Sequence, residues 1–426
     1  MNNMVWYYYI ALILILSQLF FLIQAVNNYR YILSKYKKKR SRHQLRSVLI
    51  VPCKGLDSTF HKNITSFFNQ DYENYLLWFV VAEKTDPAYD ELCKLKNQLS
   101  SCSKAREIRI LVAGKVGECN KQTDDNEQQT TRNACSQKIH NLLYAYERIG
   151  DDIDALAFAD SDIFVRSDWL SHLVWHLRLS KTGATTGYRL FIPARNNPAT
   201  LALSAVNVKI AQLLGNTRFN QAWGGSMAIR VDVFREIGLD KIWPKTISDD
   251  LSLSRAVKKA GKKVEFVPGC LVASYESTTW KGLFEFARRQ FVITRVNTPL
   301  TWWFGLISTL YSILGLWAGS AVAIYAVLKS SVVDNKLLIL AAVPVFFFIE
   351  QLSSALLRQK MLSKVLQKDW PNLRLACAAD VLFFWLWSLL LLFFIISSAF
   401  GRTIQWRGIR YKLLGPTETI LKEPQT

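Results

Sequence analysis

Four apolar stretches, roughly 5–26, 301–327, 337–357 and 377–400, are each long enough to cross a hydrocarbon core about 30 Å thick. They divide the 426 residues into a membrane-facing minority and one large polar block between the first stretch and the second. The first stretch carries no charge and is followed by Arg30 and the run Lys35, Lys37, Lys38, Lys39, Arg40 and Arg42. A secretory signal has its charge first and a shorter apolar run, so an uncleaved anchor is expected, with the basic run on the cytoplasmic face. Arg358, Lys360, Lys364, Lys368 and Arg374 mark the third loop as cytoplasmic too. Three simple crossings after the polar block would then put the basic tail on the opposite face. The expected way out is that 337–357, which holds Glu350 and Gln351, is re-entrant or lies on the surface. The expected organisation is an anchor (1–30), a cytoplasmic domain (44–298), C-terminal membrane helices (299–400) and a basic tail (401–426) of an integral, multi-pass protein.

The net charge of +20 does not point to nucleic acid, because the cations flank the apolar stretches, where topology and anionic headgroups account for them. Seven cysteines, at 53, 93, 102, 119, 135, 270 and 377, show no metal-ligand spacing and read as reduced thiols.

Within the polar block, Ser47–Pro52, Tyr75–Ala82 and Ile108–Val112 are continuous apolar runs separated by helical spacing, as in Ala88–Leu99. Strands apolar on both faces, alternating with helices, predict an α/β fold with a mostly parallel sheet. Residues 115–135 form a polar insertion. A helix follows from Ser136 through Tyr146, then an apolar strand ending in Asp160-Ser161-Asp162. Further on are a helix over Ala199–Leu214, a tight turn at Trp223-Gly224-Gly225-Ser226, a helix opening at Ser248-Asp249-Asp250 and running to Ala260, and a strand at Lys263–Val267.

Two carboxylates one residue apart at a strand end repel each other, which suits a divalent cation shared with a phosphate. The carboxyl ends of strands in open α/β sheets are also where ligands bind. Ser248 and Asp249 read as a helix cap, whereas Asp250, just inside the helix, can accept a proton from an alcohol. The stretch Trp280–Phe291 has two readings: an interfacial helix whose arginines meet lipid phosphates, or a helix placing Arg289 or its neighbour against a diphosphate. These parts suit sugar transfer from a nucleotide diphosphate, with one carboxylate base opposite the leaving group and inversion at the anomeric carbon.

The order of short motifs resembles the ceramide glucosyltransferases within the inverting glycosyltransferase family 2. They are Lys54-Gly55-Leu56-Asp57, Phe67–Tyr72, Thr85–Ala88, Lys138–Leu142, Asp160-Ser161-Asp162, Ser248-Asp249-Asp250 and Trp406–Tyr411. The resemblance implies a GT-A type nucleotide-diphospho-sugar transferase domain. Glu83 would contact the uridine, Asp160 and Asp162 would hold a divalent cation (Mn²⁺ or Mg²⁺), and Asp250 would be the base. Arg289 and Gln290 stand in the fourth motif, where this chain has Arg288-Arg289-Gln290-Phe291 without the family's Trp. Lys138 matches a lysine near the nucleotide, although a helix-surface lysine reads equally well. The implied donor is UDP-glucose and the implied acceptor a membrane lipid, ceramide or, in a bacterium, diacylglycerol or a hopanoid. The membrane would be the bacterial inner membrane, or Golgi or endoplasmic reticulum in a eukaryote. The alternatives are a processive polysaccharide synthase, which needs more spans and an intact Gln-x-x-Arg-Trp, and a non-catalytic membrane protein whose charged pairs are plain turns and caps.

Overall fold

The computed structural model describes residues 5–38, 45–117, 134–329 and 335–422. Most of the polar insertion, and Lys39, Arg40 and Arg42 of the basic run, lie outside the described residues.

Seven strands form one sheet: β1 (Ser47–Pro52), β2 (Tyr75–Val81), β3 (Glu107–Val112), β4 (Ala155–Ala159), β5 (Thr182–Pro193), β6 (Ser226–Arg230) and β7 (Lys263–Glu276). Their order is β3-β2-β1-β4-β6-β5-β7, and β6 alone runs against its neighbours. The mostly parallel sheet expected from the apolar runs is present. Alternation along each strand sends residues to opposite faces. Leu49, Val51, Leu77 and Phe79 therefore join one core, and Val48, Ile50, Trp78 and Val80 the other.

The anchor is α1 (Val5–Tyr36). Helices α2 (Phe60–Phe68), α3 (Pro87–Leu99) and α5 (Trp169–Trp175) cover the first face of the sheet with Phe67, Leu92 and Trp169. The second is covered by α4 (Gln137–Tyr146), α7 (Val231–Glu236), α8 (Leu239–Ile242) and α9 (Asp249–Lys259) through Ile139, Phe234, Leu239 and Val257. Trp243, fully buried, stacks edge-on against Phe158 and Phe234 and donates Nε1 to the carbonyl of Asp249, 3.2 Å away, so the second core fixes the start of α9.

Strands β5 and β7 are much longer than their neighbours and carry the sheet into the membrane-facing part. There Leu190, Ile192, Phe266 and Leu271 pack with Ile32 and Tyr36 of α1 and Val208 of α6 (Pro198–Ala211). After β7, α10 (Trp280–Asn297) leads into α11 (Pro299–Ile313) and α12 (Gly319–Lys329), joined by one π-helical turn, then α13 (Asn335–Val365). Helices α14 (Trp370–Leu382) and α15 (Phe384–Ser397) follow, and the chain ends in an antiparallel sheet of β8 (Thr403–Trp406), β9 (Ile409–Gly415) and β10 (Glu418–Lys422).

Among the described residues, Tyr9–Tyr36, Pro299–Lys329 and Leu337–Val365 are long and apolar enough to cross a membrane. The stretch 337–357, expected to be re-entrant or to lie on the surface, sits inside a 31-residue helix that is long and apolar enough to cross a membrane. The break falls in the fourth stretch instead, where the helical axis bends by 86° between Leu382 and Phe384. Just before the bend, Asp380 is buried and bound by two hydrogen bonds of 2.6 Å from Arg358. That pair holds α14 against α13, where Leu373 and Cys377 join the core shared with β5 and β7. The tail returns to the seven-stranded domain: Ala134 N donates to the Thr419 carbonyl (2.7 Å), and Lys54 Nζ to that of Arg407 (3.1 Å). The six cysteines among the described residues are free thiols.

Candidate active site

The carboxyl end of β4 meets the amino end of β6, because the two strands are antiparallel with Ala159 opposite Ser226. The Trp223-Gly224-Gly225 turn therefore lies directly over Asp160, whose backbone N–H bonds to the Gly225 carbonyl at 3.3 Å. Side chains at these positions would not fit. A Cβ on Gly224 would press on the Asp249 carboxylate and the Lys138 ammonium, and one on Gly225 on the Trp223 ring and Asp160 Oδ2. Gly225→Ala is expected to cost about 1–3 kcal/mol through overpacking and to lower turnover with it. Thermal unfolding and initial rates on the purified variant check both.

Lys138, on the first turn of α4, is not a surface lysine. Its side chain is 14 % exposed, and its ammonium lies 2.7 Å from Asp160 Oδ1 and 3.0 Å from Asp249 Oδ2. Burial would lower the lysine, but the charges of Asp160 and Asp249 hold it well above its ordinary value. Burial would likewise raise Asp160, yet the charge and hydrogen bond of Lys138 take its carboxyl below the usual range. Asp249 is pushed up to about 6 by burial, opposed by Lys138 and reinforced by Asp250 and Asp160. The expected cap at Ser248-Asp249 resolves into two roles. Ser248 Oγ caps α9 by accepting from Leu251 N, while Asp249 turns inward to the lysine.

Asp250 faces the same space. Its Oδ2 accepts from Gly224 N (3.1 Å) and its Oδ1 from Leu251 N (2.7 Å) and Ser248 Oγ. Three donors from the glycine turn and the helix start fix the carboxylate's orientation.

Asp162 lies 3.5 Å from Arg189 on β5. Burial raises its carboxyl, with Arg189 opposing and Asp160 adding to the rise. Its Oδ1 is buried and has no hydrogen-bond partner, an orphan that normally finds one. Among the described residues no group of three or more His, Cys, Asp and Glu side chains is placed to hold a metal ion by itself. A hard cation binding at Asp160 and Asp162 would thus draw the rest of its shell from phosphate and water, its usual habit in phosphate sites. The residues present fit such an ion.

Opposite the carboxylates stand three arginines. Arg189 lies over the rings of Phe191, Trp223 and Phe286 at 4.6, 5.5 and 5.8 Å. Arg289 lies 5.6 Å from the Phe286 ring. Burial pushes its guanidinium down, and Arg189 and Arg407 add like-charge repulsion. On α10, Arg288 donates to the Phe400 carbonyl at 2.9 Å, a contact that neither expected reading included, and Arg289 lines the cavity. Arg407, in β-hairpin geometry with a positive φ of 47°, donates to the Lys54 carbonyl at 2.9 Å.

A cavity of about 2180 Å³ joins these groups. It is lined by Lys138, Asp160, Asp162, Asp250, Arg289 and Gln290, and also by Arg189, Trp223 and Arg407. Glu83 is not among its lining. It follows β2, is partly exposed and pairs with Lys115 at 2.7 Å. Its neighbour Asp86 holds the loop after β1, accepting from Gly55 N (2.8 Å) and Ala88 N (2.9 Å).

The family model for glycosyl transferase family 21 matches residues 10–122 and 126–418, nearly the whole chain. The chain belongs to that family. It is a glycosyltransferase, which removes the non-catalytic alternative; the motif order had suggested the larger family 2. Among solved structures, a mannosyltransferase from Pyrobaculum calidifontis in complex with GDP-Man and Mn²⁺ matches with a TM-score of 0.43 and 12 % identity. That match covers 92 % of this chain and 97 % of the other. GalNAc-T7 with UDP, GalNAc and Mn²⁺ matches with a TM-score of 0.38 and 15 % identity, over 60 % of this chain and 48 % of that one. Arg189, Trp223 and Arg407 had no role in the motif reading, although the last two stand in segments that it singled out.

Proposed function

We propose that this family 21 glycosyltransferase transfers glucose from UDP-glucose to the hydroxyl of a membrane lipid, with ceramide the favoured acceptor, inverting the anomeric carbon. The observation that carries this reading is the continuity of the cavity. Its charged end holds the carboxylates and arginines, and its walls continue along α1, α11, α13 and α15 through Phe20, Phe304, Gln351 and Leu391. A soluble donor and a lipid acceptor can meet in such a space without either leaving its own phase.

In this mechanism Arg189, Arg289 and Arg407 bind the diphosphate and offset its charge as the leaving group departs. Asp160 and Asp162 hold the divalent cation, which supplies Lewis-acid stabilisation of the diphosphate when bound. Lys138 keeps Asp160 ionised and ties it to α9. Asp250, on the far side of the glycine turn, accepts the hydroxyl proton of the acceptor as its oxygen bonds to the anomeric carbon. The bond from that carbon to the diphosphate oxygen breaks in the same step, and the nucleotide leaves with the electron pair. Glu83, placed by the family resemblance at the uridine, would need to be reached by the base from the edge of the cavity.

Three spans plus a bent α14–α15 pair that re-emerges on its own side keep the tail beside the catalytic domain. With the basic residues flanking α1 and α13, the reading places that side in the cytoplasm. Purified protein offered UDP-glucose with ceramide or with diacylglycerol is expected to form a β-glucosyl lipid, identified by mass spectrometry and NMR. An α-linked product overturns inversion, and no product with any lipid overturns the acceptor class.

A further inference from the structure

Away from the carboxylates, the wall of the cavity carries a second set of charged groups, set among the apolar helices. Lys209 on α6 donates to Ser388 Oγ on α15. Glu350 on α13 accepts at 2.9 Å from Ser354 Oγ, one turn along the same helix. Among the described residues neither charge has an ion-pair partner within 4 Å. Gln351, nearly buried, lines the same wall, and its Nε2 has no hydrogen-bond partner. Beside them the bidentate Arg358–Asp380 pair is neutral in sum and accounted for by its hold on α14. Lys209 and Glu350 are charged neighbours of that pair and of each other, yet their only hydrogen bonds among the described residues are the single ones to Ser388 and Ser354, which leaves both able to bond a ligand in the cavity. Ionisable groups among membrane helices are costly and usually face a partner or pathway.

We infer that Lys209 and Glu350 form an acceptor-recognition site of the enzyme, holding the polar segment of an amide-bearing lipid at the membrane-facing wall of the cavity. This rests on the lipid acceptor proposed above and adds which residues choose that lipid. The Glu350 carboxylate is an acceptor for the amide N–H, and the Lys209 ammonium is a donor to a carbonyl or hydroxyl oxygen. An ester lipid such as diacylglycerol offers oxygens to Lys209 but has no N–H for Glu350. The site therefore discriminates because the ester lipid leaves the half-buried Glu350 carboxylate with Ser354 as its only donor, whereas the amide adds a second.

The test compares purified wild type with Glu350→Gln, Lys209→Met and Lys209→Arg, using ceramide and diacylglycerol as acceptors. Rates of lipid glucosylation, KM for each lipid, KM for UDP-glucose and lipid-free hydrolysis of UDP-glucose are measured. Glu350→Gln is expected to lower the ceramide-to-diacylglycerol ratio of kcat/KM about tenfold, the effect of one charge-assisted hydrogen bond. Lys209→Met should raise KM for both lipids, and Lys209→Arg should restore it in part. KM for UDP-glucose and the lipid-free hydrolysis should not change. An unchanged lipid ratio in Glu350→Gln, or a donor KM that rises with the lipid KM, overturns the assignment while leaving lipid transfer intact. Because Lys209→Met may be read as a packing defect, Ser388→Ala supplies a second variant: it frees the ammonium without removing it, and an acceptor KM equal to wild type in both overturns the role of Lys209. Failure of wild type to glucosylate any lipid overturns the underlying function instead.

Discussion

Asp250→Asn is expected to lower the turnover of lipid glucosylation by about 10²–10⁴-fold, the usual contribution of a positioned general base. UDP should still bind the variant, because the amide is the same size and the arginines and the Asp160–Asp162 pair are untouched. The change is chemically narrow. With the amide oxygen at the Oδ1 position, Leu251 N and Ser248 Oγ keep their acceptor and only Gly224 N loses its partner. The hydroxyl proton of the acceptor then has nowhere to go. Two measurements separate this from misfolding: the stabilisation of the protein by UDP with Mn²⁺, which follows from binding to the folded state alone, and the single-turnover rate. Retained UDP stabilisation with turnover equal to wild type would remove Asp250 from the role of base.

Lys138→Met carries the largest expected cost to stability. It leaves Asp160 and Asp249 facing each other in a buried site without their shared counter-ion, and breaking such a pair costs about 3–5 kcal/mol. The pH dependence has a definite sign. In the wild type Asp249 already sits at about 6, above its ordinary value of 3.8, because burial outweighs the lysine. Without Lys138 the folded pKa values of Asp249 and Asp160 both rise above their unfolded values. An acid with a raised folded pKa favours folding when protonated, so the deficit is absent below the ordinary carboxylate value and grows as pH rises through about 6. The unfolding midpoint of Lys138→Met should fall increasingly below that of wild type as pH rises, with the Asp249 share of the loss developing above about 6, where the wild-type carboxyl is already ionised. A parallel offset at every pH would show that the lysine acts by packing rather than by charge.

The parts of the fold that were legible before the structure are those where burial on both faces leaves a continuous apolar run. Ser47–Pro52, Tyr75–Val81 and Ala155–Ala159 are of this kind, and they form the parallel half of the sheet. β5 escaped notice because Thr185 and Thr186 are buried with their hydroxyls bonded to main-chain carbonyls, so polar letters stand where a strand interior lies. Missing β5 also meant missing Arg189, which nothing in its local sequence separates from a surface arginine. β7 was recognised only to Val267, since Pro268 and Gly269 imitate a turn, whereas the strand continues to Glu276. The basic tail, whose charges gave no hint of pairing, is a small sheet covering Ile247, Val292 and Ile293. The convergence of Asp160, Asp162 and Asp250 was legible because strand ends and helix starts of one α/β sheet share an edge. The placement of Glu83 beside Lys115 was not, because a residue after a strand turns toward either side of that edge. The break in the fourth apolar stretch was not legible either, because hydropathy registers neither a bend in an apolar run nor the buried contact beside it between Arg358 and Asp380, 22 residues apart.

The claim that most of the account depends on is that a cation on Asp160 and Asp162 and the guanidinium groups of Arg189 and Arg289 hold one diphosphate between them, with Asp250 beside the sugar. Cryo-electron microscopy of the protein in lipid nanodiscs with UDP and Mn²⁺ measures this directly. The expected map shows the metal on the two aspartates and the diphosphate against the arginines, inside the cavity that continues toward the membrane helices. A nucleotide bound elsewhere on the domain, with that space left to solvent, would contradict it.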